Sequence, residues 1–111
     1  MQIYYLILKH KNGKLEGLGK FAVAENEVSI LRFGLWKEYS EKGVLKAEGN
    51  YKIGTYLDCC TAGSCRAFYY YRTGEWKYFD EKGVFDFSLN YVPTEHLVYT
   101  NCEGGDKLLF G

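Results

Sequence analysis

Four cysteines are the residues in this chain whose types and spacing first suggest chemistry: Cys59, Cys60 and Cys65 in one short stretch, and Cys102 far downstream. Four thiolates suffice for a tetrahedral zinc site. The spacing Cys59-Cys60-x4-Cys65 is not a Cys-x2-Cys knuckle, however, and adjacent cysteines are poorly placed to ligate one ion together. Zinc and a disulfide both remain open, and free thiols in a reducing compartment are the expectation. Nucleophilic catalysis would need a Cys–His pair, and His10 and His96 are the only imidazoles. Cys102 with His96 could form such a pair, but no orienting group or oxyanion motif accompanies it. The glycines fall at turn positions rather than in a strand-to-helix phosphate loop. The expectation is a protein without catalysis, metal or cofactor.

Two further groups suit binding. Residues 65–77 interleave Arg66, Arg72 and Lys77 with Phe68, Tyr69, Tyr70, Tyr71 and Trp76, and such a surface could stack single-stranded bases. A core face backed by a cationic face gives the same pattern. Zero net charge and an acidic C-terminal third argue against nucleic acid as the main partner. The charge is divided along the chain: residues 1–77 carry a net +4 and residues 78–111 a net −4. Asp86, Glu95, Glu103 and Asp106 could therefore steer a basic protein partner, or simply lie in solvated loops.

The elements that must position these residues read as strands. The 111 residues have room for one domain with one modest core. Eleven Tyr, seven Phe and two Trp against one Pro favour pleated, half-buried surfaces. Met1-Gln-Ile-Tyr-Tyr lacks the basic start of a secretory leader, and Lys9-His10-Lys11 ends the apolar run early. With no stretch of about 20 apolar residues, the expectation is a cytoplasmic chain without a membrane span.

Self-comparison organises the chain. Residues 31–51 align with 71–91 without a gap, and ten positions are identical, among them Arg32/Arg72, Gly34/Gly74, Trp36/Trp76, Lys37/Lys77, Gly43/Gly83 and Tyr51/Tyr91. Each copy predicts a hairpin about Glu41-Lys42-Gly43 or Glu81-Lys82-Gly83, with Gly at the residue that must take a positive φ. Folding about the central Lys sets Tyr39 opposite Leu45 and Glu38 opposite Lys46. In the second copy it sets Phe79 opposite Phe85 and Tyr78 opposite Asp86. A degenerate copy near 3–21 turns at Asn12-Gly13, pairing Ile7 with Leu18 and Lys9 with Glu16. Glu25-Asn26-Glu27 reads as a turn and 28–33 as a strand, with a short helix over 24–32 as the alternative. Residues 52–71 predict one or two strands around Ala62-Gly63-Ser64. Strands at 96–101 and 107–110 flank the turn Glu103-Gly104-Gly105-Asp106.

The unit Gly-x-Trp-Lys-x-Tyr/Phe-x-x-x-Gly-Val-x-x-x-x-x-Asn-Tyr resembles the variant MORN repeats of the bacterial YwqK-like antitoxin and immunity proteins. The likeness is carried by Gly34, Trp36, Lys37, Tyr39, Gly43 and Tyr51, and again by Gly74, Trp76, Lys77, Phe79, Gly83 and Tyr91. Two departures stand out: some 19 residues separate the copies, and Leu89 replaces the Gly49 of the first copy. The resemblance implies an all-β, mostly antiparallel fold of repeated hairpins in a curved or rolled sheet. It also implies binding and neutralisation of a toxin protein, or, as in other MORN proteins, a scaffold for protein or lipid-surface contacts. Trp36, Tyr39, Trp76 and Phe79 recur as the repeat core. Asp86, Glu95, Glu103, Asp106, Tyr69 and Tyr71 are the expected partner-binding residues.

Overall fold

The computed structural model describes residues 2–23, 30–60, 63–98 and 106–110, with the backbone alone at residues 2, 57–60, 63–66, 95–98 and 106–110. Six strands, β1 (Gln2–Lys9), β2 (Leu15–Val23), β3 (Leu31–Tyr39), β4 (Leu45–Cys60), β5 (Gly63–Phe79) and β6 (Phe85–Tyr91), form one open sheet. Each pairs antiparallel with its neighbours in the chain, in the order β1-β2-β3-β4-β5-β6. β7 (Thr94–Val98) and β8 (Asp106–Phe110) form a separate two-stranded sheet, and β8 lies against β4 and β5. The fold is all-β, and no helix occurs among the described residues. The alternatives for 24–29 and the turn at 103–105 lie outside the described residues, while residues 31–32 belong to β3.

Three turns share one geometry. Gly13, Gly43 and Gly83 take φ of 85°, 82° and 82°, a region in which a side chain would clash with the backbone. In each, the glycine N–H donates back to the first turn residue, as Gly43 N does to the Ser40 carbonyl at 2.9 Å. The polar first residue holds two of the turns shut. Ser40 Oγ accepts from Val44 N, and Asp80 Oδ1 accepts from Lys82 N and Val84 N. The Asn12-Gly13 turn is thus the same device as the other two, and the degenerate copy is a hairpin like its successors.

The register corrects the pairing expected from the turns. Tyr39 opposes Leu45, Phe79 opposes Phe85 and Ile7 opposes Leu18, as read from the sequence. A β-bulge then follows in every hairpin, so Glu38 opposes Ala47 rather than Lys46, and Tyr78 opposes Phe87 rather than Asp86. In the first hairpin Leu8 opposes Gly17, and Lys9 opposes Leu15 rather than Glu16. The extra residue (Glu16, Lys46 or Asp86) is left without a register partner, and a bulge of this kind increases the local twist.

The main cluster of the core lies on one face of the sheet, and the register partners Ala22 and Leu31 are buried apart from it. Trp36 and Trp76 are fully buried and cluster with Ala47 and Tyr51, with Leu6, Leu8, Tyr78 and Tyr91 packed around them. Burial is possible because each tryptophan lies flat over the strand before it. A Cβ at Gly19 would stand 2.5 Å from the Trp36 ring, and one at Gly49 would stand 2.3 Å from that of Trp76. The indole N–H groups donate to the Lys20 and Asn50 carbonyls at 2.8 and 3.0 Å. Tyr39 and Phe79, expected in this layer, are half-buried beside the turns and lie outside the cluster. Parts of β3 and β5 come within 8 Å of each other across β4, less than two strand spacings of about 4.8 Å would give. The sheet therefore curves towards its tryptophan face.

Candidate functional site

That curvature closes a cluster the sequence reading did not anticipate. Glu38 on β3 accepts from two arginines, Arg32 on its own strand at 2.8 Å and Arg72 on β5 at 3.2 Å. Tyr51 Oη on β4 donates to the same carboxylate at 3.0 Å. Each guanidinium covers the tryptophan of its own repeat, Arg32 at 4.5 Å from the Trp36 ring and Arg72 at 4.4 Å from that of Trp76. The arginines are thus the lid of the indole layer, combining cation–π attraction with exclusion of water. Arg72 also donates to Tyr78 Oη at 2.7 Å, and Tyr78 shares a 2.6 Å hydrogen bond with Tyr91.

This network has a physical logic. Two guanidinium groups and one carboxylate leave this cluster with one excess positive charge. Glu38, with a side chain 13% exposed, is the counter-ion that both arginines share. The phenols are kept neutral. Burial, with Glu38 adding to it, raises the Tyr51 pKa, and burial together with the Tyr91 hydrogen bond pushes Tyr78 up to about 12. Arg32 and Arg72 occupy the same position of the repeat. That identity was the available signal, and it was hidden because a shared arginine in a strand reads as a solvated cation.

A second cluster contains residues expected from the sequence. Beyond Tyr51 and Gly74, β4 and β5 run on as a two-stranded arm, residues 52–60 against 63–71, with neither β3 nor β6 alongside. On it Tyr69 stands 5.6 Å from Tyr71 and 6.2 Å from Tyr56, ring centre to ring centre. Tyr69 lies over Gly54, where a Cβ would meet its ring at 2.5 Å. All three tyrosines are half-buried. Burial, reinforced by Tyr69, raises the pKa of Tyr71. The one or two strands expected over 52–71 are the continuations of β4 and β5, paired without interruption from Tyr51↔Arg72 to Cys60↔Gly63.

The remaining expected residues are dispersed. Asp86 is exposed in the β6 bulge, next to the turn at Gly83 and beside the Phe79 end of β5, whereas Tyr71 lies midway along that strand. Glu95 lies on β7 opposite Leu109, and Asp106 lies on β8 opposite Val98. Glu103 lies outside the described residues. On the arm, Cys59 is the register partner of Ser64, Cys60 of Gly63 and Cys65 of Asp58, so no two of these cysteines face each other across the ladder. Cys102 lies outside the described residues. No group of three or more His, Cys, Asp or Glu that could hold a metal occurs among the described residues.

No family model, curated protein or solved structure matches the chain. Among the described residues no helix is long and apolar enough to cross a membrane.

The clefts are open and shallow. One of 490 Å³, lined by Lys9, His10, Lys11, Asn12, Glu16 and Glu41, lies where the first turn stacks on the second. There His10 Nε2 donates to the Tyr39 carbonyl at 3.0 Å, and Asn12 Nδ2 donates to the Glu41 carbonyl at 2.8 Å. These polar groups are spent on joining the hairpins. His10 in particular is a tie between turns.

Proposed function

We propose that this chain is a non-catalytic binding protein of the antitoxin or immunity type, which neutralises a toxic protein by covering part of its surface. The observation that carries the reading is the Tyr56–Tyr69–Tyr71 cluster on the β4–β5 arm. Tyrosines held by one another and by a glycine floor present large amphipathic rings with little freedom left to lose. Such residues dominate the energetics of protein interfaces. The MORN-like repeat residues support the antitoxin class. The remainder of the sheet serves as a rigid mount, its conformation fixed by the indole layer and the Arg32–Glu38–Arg72 bridge. Asp86, Glu95, Glu103 and Asp106 add negative charge that would speed the approach of a basic partner.

The test begins with the reading frames adjacent to this one, each expressed alone. One should arrest growth, and co-expression of this chain should restore it. Tyr71→Ala should abolish that protection while leaving the melting temperature within a few degrees of the parent. Reversing Glu95, Glu103 and Asp106 to Lys should slow association at low salt by tenfold or more, with the difference shrinking as salt rises. Full protection by Tyr71→Ala would remove the tyrosine cluster from the interface. Should no neighbouring product be toxic, the scaffold reading, a MORN-like platform for protein or lipid-surface contacts, replaces the antitoxin.

A further inference from the structure

β6 is the one strand of the second repeat that has a partner on one side only. Among the described elements it touches β5 and nothing else. Its apolar side chains are open to solvent, with Phe85 55%, Phe87 47% and Leu89 48% exposed. A long apolar edge carrying unpaired backbone groups is a template for another strand. The earlier hairpins show how such an edge is used in this molecule. β2 receives β3, and β4 receives β5, by antiparallel pairing with a tryptophan set over Gly19 or Gly49. At the same repeat position β6 carries Leu89, which fills the glycine floor. A strand bringing a tryptophan is rejected there, and one bringing a medium apolar side chain is accepted.

We propose that this edge is occupied by the β6 strand of a second copy, in an antiparallel pairing with its two-fold axis at Ser88. The strand Phe85-Asp86-Phe87-Ser88-Leu89-Asn90-Tyr91 is nearly self-complementary about that residue. On the tryptophan face Phe87 meets Leu89 of the second copy, and Leu89 meets its Phe87. On the opposite face Ser88 meets Ser88, and Asn90 comes beside the bulged Asp86. No like charges stand directly opposite, so the pairing carries no cross-strand repulsion. The result continues the internal repeat interface into one sheet of twice the strand number, and the two-fold operation closes the assembly.

The other edge strand among the described elements, β1, fits less well. Facing β6 with the sheet faces matched, it would set its exposed Ile3, Tyr5 and Ile7 beside Ser88 and Asn90. That contact is also head-to-tail, so it would propagate rather than close.

Sedimentation of the purified full chain tests the proposal without any other partner. The mass should move from 12.8 kDa to twice that value as concentration rises towards about 0.5 mM, the range in which small interfaces associate. Leu89→Lys should hold the chain at the single-copy mass. Asn90→Lys alone, which sets Lys beside Asp86, should keep or tighten the association. Adding Asp86→Lys to Asn90→Lys should weaken it tenfold or more, because lysine then stands beside lysine. Both charge variants change exposed residues, so they remain informative if Leu89→Lys fails to fold. A single-copy mass at all concentrations would overturn the proposal. So would association unaffected by the double charge variant, and so would growing oligomers abolished by Ile7→Lys, which would assign the contact to β1.

Discussion

The two copies of the repeat differ most where their neighbours differ. In the copy spanning β3 and β4, Glu38 sits at the position that Tyr78 fills in β5, and Gly49 sits where β6 has Leu89. Glu38 has an arginine on either side to balance, Arg32 from its own repeat and Arg72 from the next. Tyr78 has only Arg72 before it and the Tyr91 hydroxyl beside it, and a neutral phenol suits that site. Gly49 must leave room for Trp76, whereas no further tryptophan follows Leu89. The repeat therefore encodes an interior unit and a terminal unit in one motif, and these two of its differences follow from the change of neighbours.

The comparison breaks most completely if the indole layer is emptied. Trp36→Ala and Trp76→Ala should each cost roughly 3–5 kcal/mol in chemical denaturation, the usual range for a buried aromatic. Near-parental stability for either would mean the layer is not the core. Next comes the shared counter-ion. Glu38→Gln leaves two arginines facing each other across β4 and should cost about 2 kcal/mol, less than a fully buried pair because Arg72 remains partly exposed. Tyr78→Phe, at the matching position of the other copy, should cost about 1 kcal/mol for its lost hydrogen bonds.

The glycine floor gives a sharper contrast. Gly49→Ala should destabilise by about 1–3 kcal/mol through overpacking against Trp76. Leu89→Gly should cost no more than about 1 kcal/mol, the ordinary penalty of glycine in a strand. Equal effects at the two positions would erase the distinction between interior and terminal units.

The smallest expected effect is a pH dependence. The Tyr78 pKa is raised to about 12 in the fold, against about 10 for an unfolded tyrosine. From pH 10 upwards the folded chain retains a proton that the unfolded chain has lost. The contribution is therefore complete below pH 10 and fades as pH rises through 12. Melting temperature measured between pH 9 and 12 should fall less steeply in Tyr78→Phe than in the parent chain.

Hairpins, turns and the repeat were legible because they are local. A glycine of positive φ and the alternation around it are written within a dozen residues. The bulge was not legible, since Lys46 and Asp86 look like ordinary strand residues, and only the demand that Ala47 and Phe87 meet the tryptophan face moves the register by one. The Tyr69–Tyr71 pair was visible as an aromatic run, but the Gly54 floor and the Tyr56 contact needed the ladder between β4 and β5. The Arg32–Glu38–Arg72 bridge spans three strands and depends on curvature, a property of the assembled sheet that no window of sequence contains.

Every ladder of the main sheet joins strands that are consecutive in the chain, and this has a kinetic consequence. No long loop must close before a strand gains its partner, so contact order in this sheet is low for a β protein and assembly can spread hairpin by hairpin. Opening should run in reverse. Amide protons of β1 and β6 should exchange first, and those around Tyr51, where β3, β4 and β5 meet, should exchange last. The molecule then behaves as a short one-dimensional array whose outer strands detach at little cost while its centre stays closed.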